Sequence, residues 1–489
     1  MDSSEFRSHL TGLIEEAKRR AAERRERVLV SVSERIPSRD PLAVLQTLRG
    51  SSSATADLAC AYWARPGENF AIAAFGAAAM FSPSGPERFT ALAREWRGLI
   101  QNAVTEGPTS TPAVGPILIG GFSFDPEGPQ TQRWENFPSS HMILPRAHVT
   151  SIDGKCWLTT SAVIDQNASG NVNDLTALRE SILSADGSIT SAEADATSDI
   201  QTSDDQPEDE WCESVDDAVK AIRSGTFKKV VLARSVSGAT DSDVDAVKLL
   251  DHLRSVHRDA FVFGYWRGGD TFVGASPERL VRLDGRSLIA SSLAGTIKRG
   301  DTPEHDARLA RELQGNEKDL AEHAAVREML HEILSEFDEN VESSDTPELL
   351  TLSNVHHLHT EVRAKLDDDV SILDVVERLH PTPAVGGSPR REALDFIEHN
   401  EKLDRGWYAA PIGWMDGNGG EFAVALRSGL IRGSEFTLFA GCGIVADSDP
   451  ELELAESNLK LQPMRSAIAA SIGINADDAE MALASRDTE

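Results

Sequence analysis

The chain has 489 residues, 40% of them hydrophobic, enough for a sizeable core in one large unit or in about two to three ordinary domains. A formal net charge of −31 and a pI near 4.8 repel phosphate backbones and anionic membrane surfaces, so neither nucleic acid nor membrane is an expected partner. Only 11 of the 48 basic residues are lysine, a balance suited to concentrated salt, where repulsion is screened within about 3 Å at 1 M. A salt-rich cytoplasm is expected.

The first stretch, MDSSEFRSHLTGLIEEAKRRAAERRERVLV, has the charged pattern of a helix and lacks the apolar centre of a signal peptide. Residues 27–150 then alternate short apolar runs with turn residues, and Phe70–Phe75, Ile117–Phe124 and His141–Val149 are predicted strands of an antiparallel sheet. The run Phe70 to Phe81 is too short to cross a bilayer. Cys60, Cys156, Cys212 and Cys442 are scattered, without the paired spacing of a disulfide framework or metal knuckle, which points to a reducing compartment and a cytoplasmic protein. From about 184 to 210 the chain is small, polar and acidic, and is expected to be a mobile insertion ending a β-rich part, 1–205. The remaining part, 206–489, is expected to carry the chemistry.

From Trp211 the pattern predicts a helix at Ser214–Ser224, a strand at Lys228–Val236, a helix at Ser242–Val256 and strands near Ala260–Trp266 and Thr271–Gly274. Helices follow at Pro303–Arg311 and Glu317–Phe337, then strands near Gly420–Arg432 and Glu435–Phe439, then final helices. The class is α+β. Four features have chemical potential. The strand FKKVVLARS sends Lys228 and Lys229 to opposite faces, so one of them meets packed structure, either as a desolvated base or as a snorkelling strand-end lysine. Glu322 lies one turn before Val326 on the apolar stripe of its helix and needs a partner, either an Arg or backbone group or a metal. The small-residue loops at Gly274–Leu280, carrying Glu278, and at Gly295 with Thr296 let backbone approach a ligand. An apolar turn at Gly441, Cys442 and Gly443 precedes a helix capped by Ser448 or Asp449, on which Glu453 and Glu456 share a face with Lys460 a turn beyond. That pair fits a solvated face or a cation site. The histidines 356, 357 and 359 fit a hydrogen-bonded edge better than a metal site.

Taken together, KVVLAR at Lys229, GASPERL at Gly274, SLAGT at Ser292, KDLAEH at Lys318, LHPTPAVGG at Leu379, YAAPIGW at Tyr408, FAVALRSGLI at Phe422 and AGCGIVADSDPELELAESNLK at Ala440 resemble the chorismate-utilising enzymes. Within them the likeness is greatest to the isochorismate synthases of menaquinone biosynthesis. The resemblance implies one integrated catalytic unit of stacked antiparallel sheets with helices packed outside. It implies Mg²⁺ held by Glu322 and Glu456 with Glu453 beside it, and a chorismate carboxylate gripped there. Arg427 and Tyr408 would bind the pyruvyl carboxylate, while Lys460, the 441–443 amides, Gly295, Thr296, His380 and Ala384 complete the substrate site. Lys229 would activate water for attack at C2, and protonated Glu278 would give a proton to the departing C4 hydroxyl. Lys229 and Ala384 favour water over ammonia, and no glutamine amidotransferase subunit is expected; a monomer is. The alternatives are a salicylate synthase, which goes on to eliminate pyruvate, and a chorismate-binding subunit without turnover.

Overall fold

The computed structural model describes residues 1–50, 59–165, 171–185, 189, 200–351 and 355–473. Strand side chains alternate between two faces, and here both faces are buried. In Cys60–Arg65, Ala61 and Trp63 enter one core while Cys60, Tyr62 and Ala64 enter another. One ladder runs from Val104–Glu106 through Val28–Ile36, Lys155–Ile164, Ser140–Ile152, Phe70–Phe81 and Cys60–Arg65. It continues through Phe261–Arg267, Asp270–Ser276, Ser428–Arg432 and Glu435–Ile444 to Lys229–Thr240. A second branches from Ser140–Ile152 through Leu118–Phe122, Pro411–Met415, Gly419–Val424, Arg279–Asp284 and Ser287–Lys298 to Val355–Lys365. Within these two ladders only the pairing of Val28–Ile36 with Val104–Glu106 is parallel.

The two sheets stack. Trp63, Ile72 and Phe263 of the first share a core with Phe122, Ile412 and Phe422 of the second, closed by the helices Arg88–Gln101 and Ile372–Leu379. The opposite face of the first sheet packs against Pro41–Gly50, Ala246–Val256 and Pro450–Ser471. This is the expected α+β architecture of stacked antiparallel sheets with helices outside. Pairings cross the expected division at residue 205, joining Cys60–Arg65 to Phe261–Arg267 and Leu118–Phe122 to Pro411–Met415.

Three local expectations change. In the acidic stretch, residues 186–188 and 190–199 lie outside the described residues, but Ile200–Asp204 forms an edge strand on Lys229–Thr240 and Glu208 opens a helix running to Arg223. Backbone pairing to a free edge needs no apolar side chains, and Asp204 supplies the carboxylate for the buried guanidinium of Arg234. The segment predicted near Gly420–Arg432 is two strands, broken after Val424 where Arg427 takes a left-handed φ of 47°. Gly441, Cys442 and Gly443 are not a turn. They extend the Glu435–Ile444 strand, opposite Ala233, Leu232 and Val231.

Candidate active site

Lys229 begins its strand between two partners, Ser388 on one side and the Glu435–Ile444 strand on the other. Its neighbour Lys228 is exposed, as strand alternation requires, while the Lys229 side chain is only 20% exposed. It passes over Gly443, where a Cβ would stand 2.7 Å from its Cε and 3.3 Å from its Nζ. Nζ donates to Glu322 Oε1 at 2.7 Å, so Glu322 finds its partner in the lysine of a distant strand.

Glu278 lies in the link between Asp270–Ser276 and Arg279–Asp284, held through its own backbone N–H and carbonyl. Ser276 Oγ accepts its N–H at 3.2 Å and donates to the Val424 carbonyl at 2.5 Å, and the Glu278 carbonyl accepts the Val424 N–H at 3.1 Å. Burial pushes its carboxyl up to about 7, against the opposing pull of Lys229 and Arg427. Arg427 faces the same space. Burial lowers its guanidinium while Tyr408, Cys442, Glu456 and Glu278 act in the other direction, and no hydrogen-bonded side-chain partner holds it among the described residues. A non-glycine residue in the left-handed region costs on the order of 1–3 kcal/mol, which tertiary packing must offset.

Tyr408 stacks on Phe439 at 5.4 Å, and its hydroxyl stands 3.1 Å from where a Cβ on Gly441 would sit. The glycine leaves room for it. Lys460 Nζ donates to the Gly441 carbonyl at 2.9 Å and pairs with Glu456 at 2.6 Å. Asp449 caps this helix, as anticipated, and the Ser448 hydroxyl donates instead to Glu453 Oε1 at 2.7 Å. Burial, with Glu456 adding to it, raises the Glu453 carboxyl. One ligand atom from each of Cys442, Glu453 and Glu456 falls within 4.8 Å of the others, while Glu322 is turned to Lys229. Cys442 donates to the Glu453 carbonyl at 3.3 Å, and burial pushes its thiol up to about 12.

Of the remaining expected residues, Gly295 and Thr296, predicted in a loop, lie instead in a paired strand. Gly295 has a φ of 77° at a bulge in the Ser287–Lys298 strand, and Thr296 Oγ1 meets His357 Nδ1 at 2.8 Å. His380 Nε2 donates to the Phe124 carbonyl at 3.3 Å, and burial holds the ring well below its usual range, hence neutral. Ala384 follows, half-buried, in the segment that reaches Ser388. His356 bonds Asp306 and Thr351, and no metal-ligating group of three residues includes a histidine among the described residues. Sequence reasoning missed Ser276 and the buried pair Glu401 and Arg405. The four-residue spacing of that pair in EKLDRGW, just before YAAPIGW, was the available signal.

The Lys229 amine, the buried Glu278 carboxyl, the Arg427 guanidinium and the Glu453–Glu456 pair thus lie within electrostatic reach of one another, a constellation suited to acid–base work on an anionic substrate. The chain is 39% identical to the salicylate biosynthesis isochorismate synthase of Pseudomonas aeruginosa, over 92% of each protein. It is 37% identical to the isochorismate synthase MenF of Bacillus subtilis, over 92% of this chain and 95% of that one. The fold matches the menaquinone-specific isochorismate synthase MenF of Escherichia coli with a TM-score of 0.75 at 24% identity, covering 94% of this chain and 99% of the other. The family described as chorismate binding enzyme matches residues 14–469, and the chain belongs to that family.

Proposed function

We infer that this protein is an isochorismate synthase, an isomerase that moves the hydroxyl of chorismate from C4 to C2 by adding water and losing water. The observation that carries the reading is the pairing of Lys229, whose Nζ bonds Glu322, with the buried Glu278, whose carboxyl is raised to about 7 and feels the charge of Lys229. Water gives a proton to Lys229 as its oxygen bonds C2, both ring double bonds shift by one position, C1=C2 to C1=C6 and C5=C6 to C4=C5, and the C4–O bond breaks as Glu278 protonates the departing hydroxyl. No oxidant is needed and the atoms balance. Arg427 and Tyr408 hold the pyruvyl carboxylate, the guanidinium by a two-pronged contact. Gly295, Thr296, His380, Ala384, Gly441, Cys442, Gly443 and Lys460 shape the surrounding wall. The salicylate-forming alternative is not favoured.

Glu453 and Glu456 offer hard oxygen donors at a spacing that fits Mg²⁺ with several retained waters, and Glu322 would complete the set by exchanging its contact with Lys229. The Cys442 thiol, protonated, is no ligand for such an ion. Bound Mg²⁺ would neutralise and orient the ring carboxylate. Incubation with chorismate and Mg²⁺ in high salt, followed by separation of products, tests the reading. Isochorismate alone is expected; salicylate with pyruvate, or untouched chorismate, refutes it.

We also propose that the chain works as a monomer without an amidotransferase subunit, in a salt-rich cytoplasm, and that its product feeds menaquinone. The match to MenF of Bacillus subtilis over 92% of this chain supports the last point. Matches to the isochorismate synthase DhbC and the vibriobactin-specific enzyme cover only 54% and 55% of this chain. The strand pairings across residue 205 support a single catalytic unit in place of two independent domains. Among the described residues no helix is long and apolar enough to cross a membrane.

A further inference from the structure

Glu401 and Arg405 touch none of the groups assigned to catalysis, yet their side chains are only 4% and 3% exposed. Arg405 Nε and Nη2 grip the two Glu401 oxygens at 2.6 and 2.7 Å. The same guanidinium donates to the Val385 carbonyl at 2.8 Å and to the Val231 carbonyl at 2.7 Å. Glu401 Oε2 also accepts the Ala233 N–H at 2.8 Å, and the Arg405 carbonyl accepts the Tyr408 N–H at 2.8 Å. The guanidinium lies 4.3 Å over the Phe124 ring, whose carbonyl holds His380.

One buried ion pair therefore binds three segments: the strand two residues past Lys229, the loop one residue past Ala384, and the turn leading to Tyr408. Resting on the function inferred above, we propose that the Glu401–Arg405 pair is a positioning device, fixing Lys229, the Ala384 loop and Tyr408 relative to one another. Burying both charges carries a desolvation cost that a packed apolar pair would avoid, so cohesion alone is a poor reason for it. The strand and the loop are already joined through backbone bonds, Val231 N–H to Gly386 at 2.9 Å and Lys228 N–H to Ser388 at 2.7 Å. What the guanidinium adds is a planar fork, with donors in fixed directions towards Glu401, the Val385 carbonyl and the Val231 carbonyl. A lysine carries the charge without that geometry.

The test compares Arg405→Lys and Glu401→Gln with Glu34→Gln, which breaks another buried pair, Glu34 with Arg179, remote from the cleft. Circular dichroism establishes the folded fraction, and steady-state kinetics with chorismate and Mg²⁺ are expressed per folded molecule. A displacement of about 1 Å costs on the order of a hundredfold, so kcat of both hub variants should fall on the order of ten- to a hundredfold, with KM changed less than about threefold. Glu34→Gln should lower Tm and leave kcat within about twofold of wild type. Should Glu401→Gln fail to fold, Arg405→Lys decides the matter, since lysine still pairs with Glu401. Hub variants with lowered Tm and wild-type kcat overturn the positioning role alone. Wild-type protein that leaves chorismate untouched overturns the inferred function, and this inference with it.

Discussion

At the scale of single residues, the proposed chemistry rests on Lys229 as the base and on Glu278 as an acid whose carboxyl is raised by burial. Replacing Lys229 with Ala removes the base, and kcat should fall by about 10²–10⁴. Chorismate binding, followed by calorimetry, should change little, and unchanged turnover would refute the role. Glu278 acts only while protonated, so kcat/KM should decline as pH rises through about 7. A decline centred near 4.5 would mean that burial does not raise the carboxyl, which could not then serve as the acid near neutrality. The same group bears on stability. Because its folded value lies above the ordinary 4.5, the stability it contributes is complete below about 4.5 and is lost as pH rises through about 7. In Glu278→Gln that part of the Tm–pH curve should flatten. Both residues were legible in the sequence, one as a lysine in an apolar strand and the other beside a Ser-Pro turn. The contact between Lys229 and Glu322 was not, because it spans a sequence separation that no local pattern encodes.

At the scale of elements, the site depends on backbones that approach closely. Gly387 adopts a φ of 139°, and a Cβ there would stand 2.3 Å from the Lys229 carbonyl. Gly387→Ala should therefore destabilise by on the order of 1–3 kcal/mol or more, read as a lowered Tm, because the clash is with backbone that cannot turn aside. Gly443→Ala presses on the flexible end of Lys229 instead. It should leave Tm nearly unchanged while reducing kcat on the order of tenfold or more, as the amine is displaced. Equal Tm losses in the two variants would contradict this distinction. The strand and helix positions were mostly readable from periodicity, but the Gly441–Gly443 stretch was misread. Its small residues suggested a turn, whereas their place in a ladder depends on a partner strand about 200 residues away in the chain.

At the scale of the whole molecule, a net charge of −31 works against the compact state by self-repulsion. Raising salt from about 0.1 M to about 1 M shortens the screening length from about 10 Å to about 3 Å, so Tm should rise across that range. A Tm that is flat or falls with salt would remove the case for a salt-rich setting. Composition, alternation and motif order sufficed to establish an acidic α+β protein of the chorismate-binding family, since such features are local or additive along the chain. Only the folded structure decided that Lys229 meets Glu322, that Arg427 sits in a left-handed break, and that Glu401 with Arg405 ties three segments together. Those contacts arise where strands far apart in sequence are brought together by long-range pairing and burial, and no window of neighbouring residues contains the energies that select them.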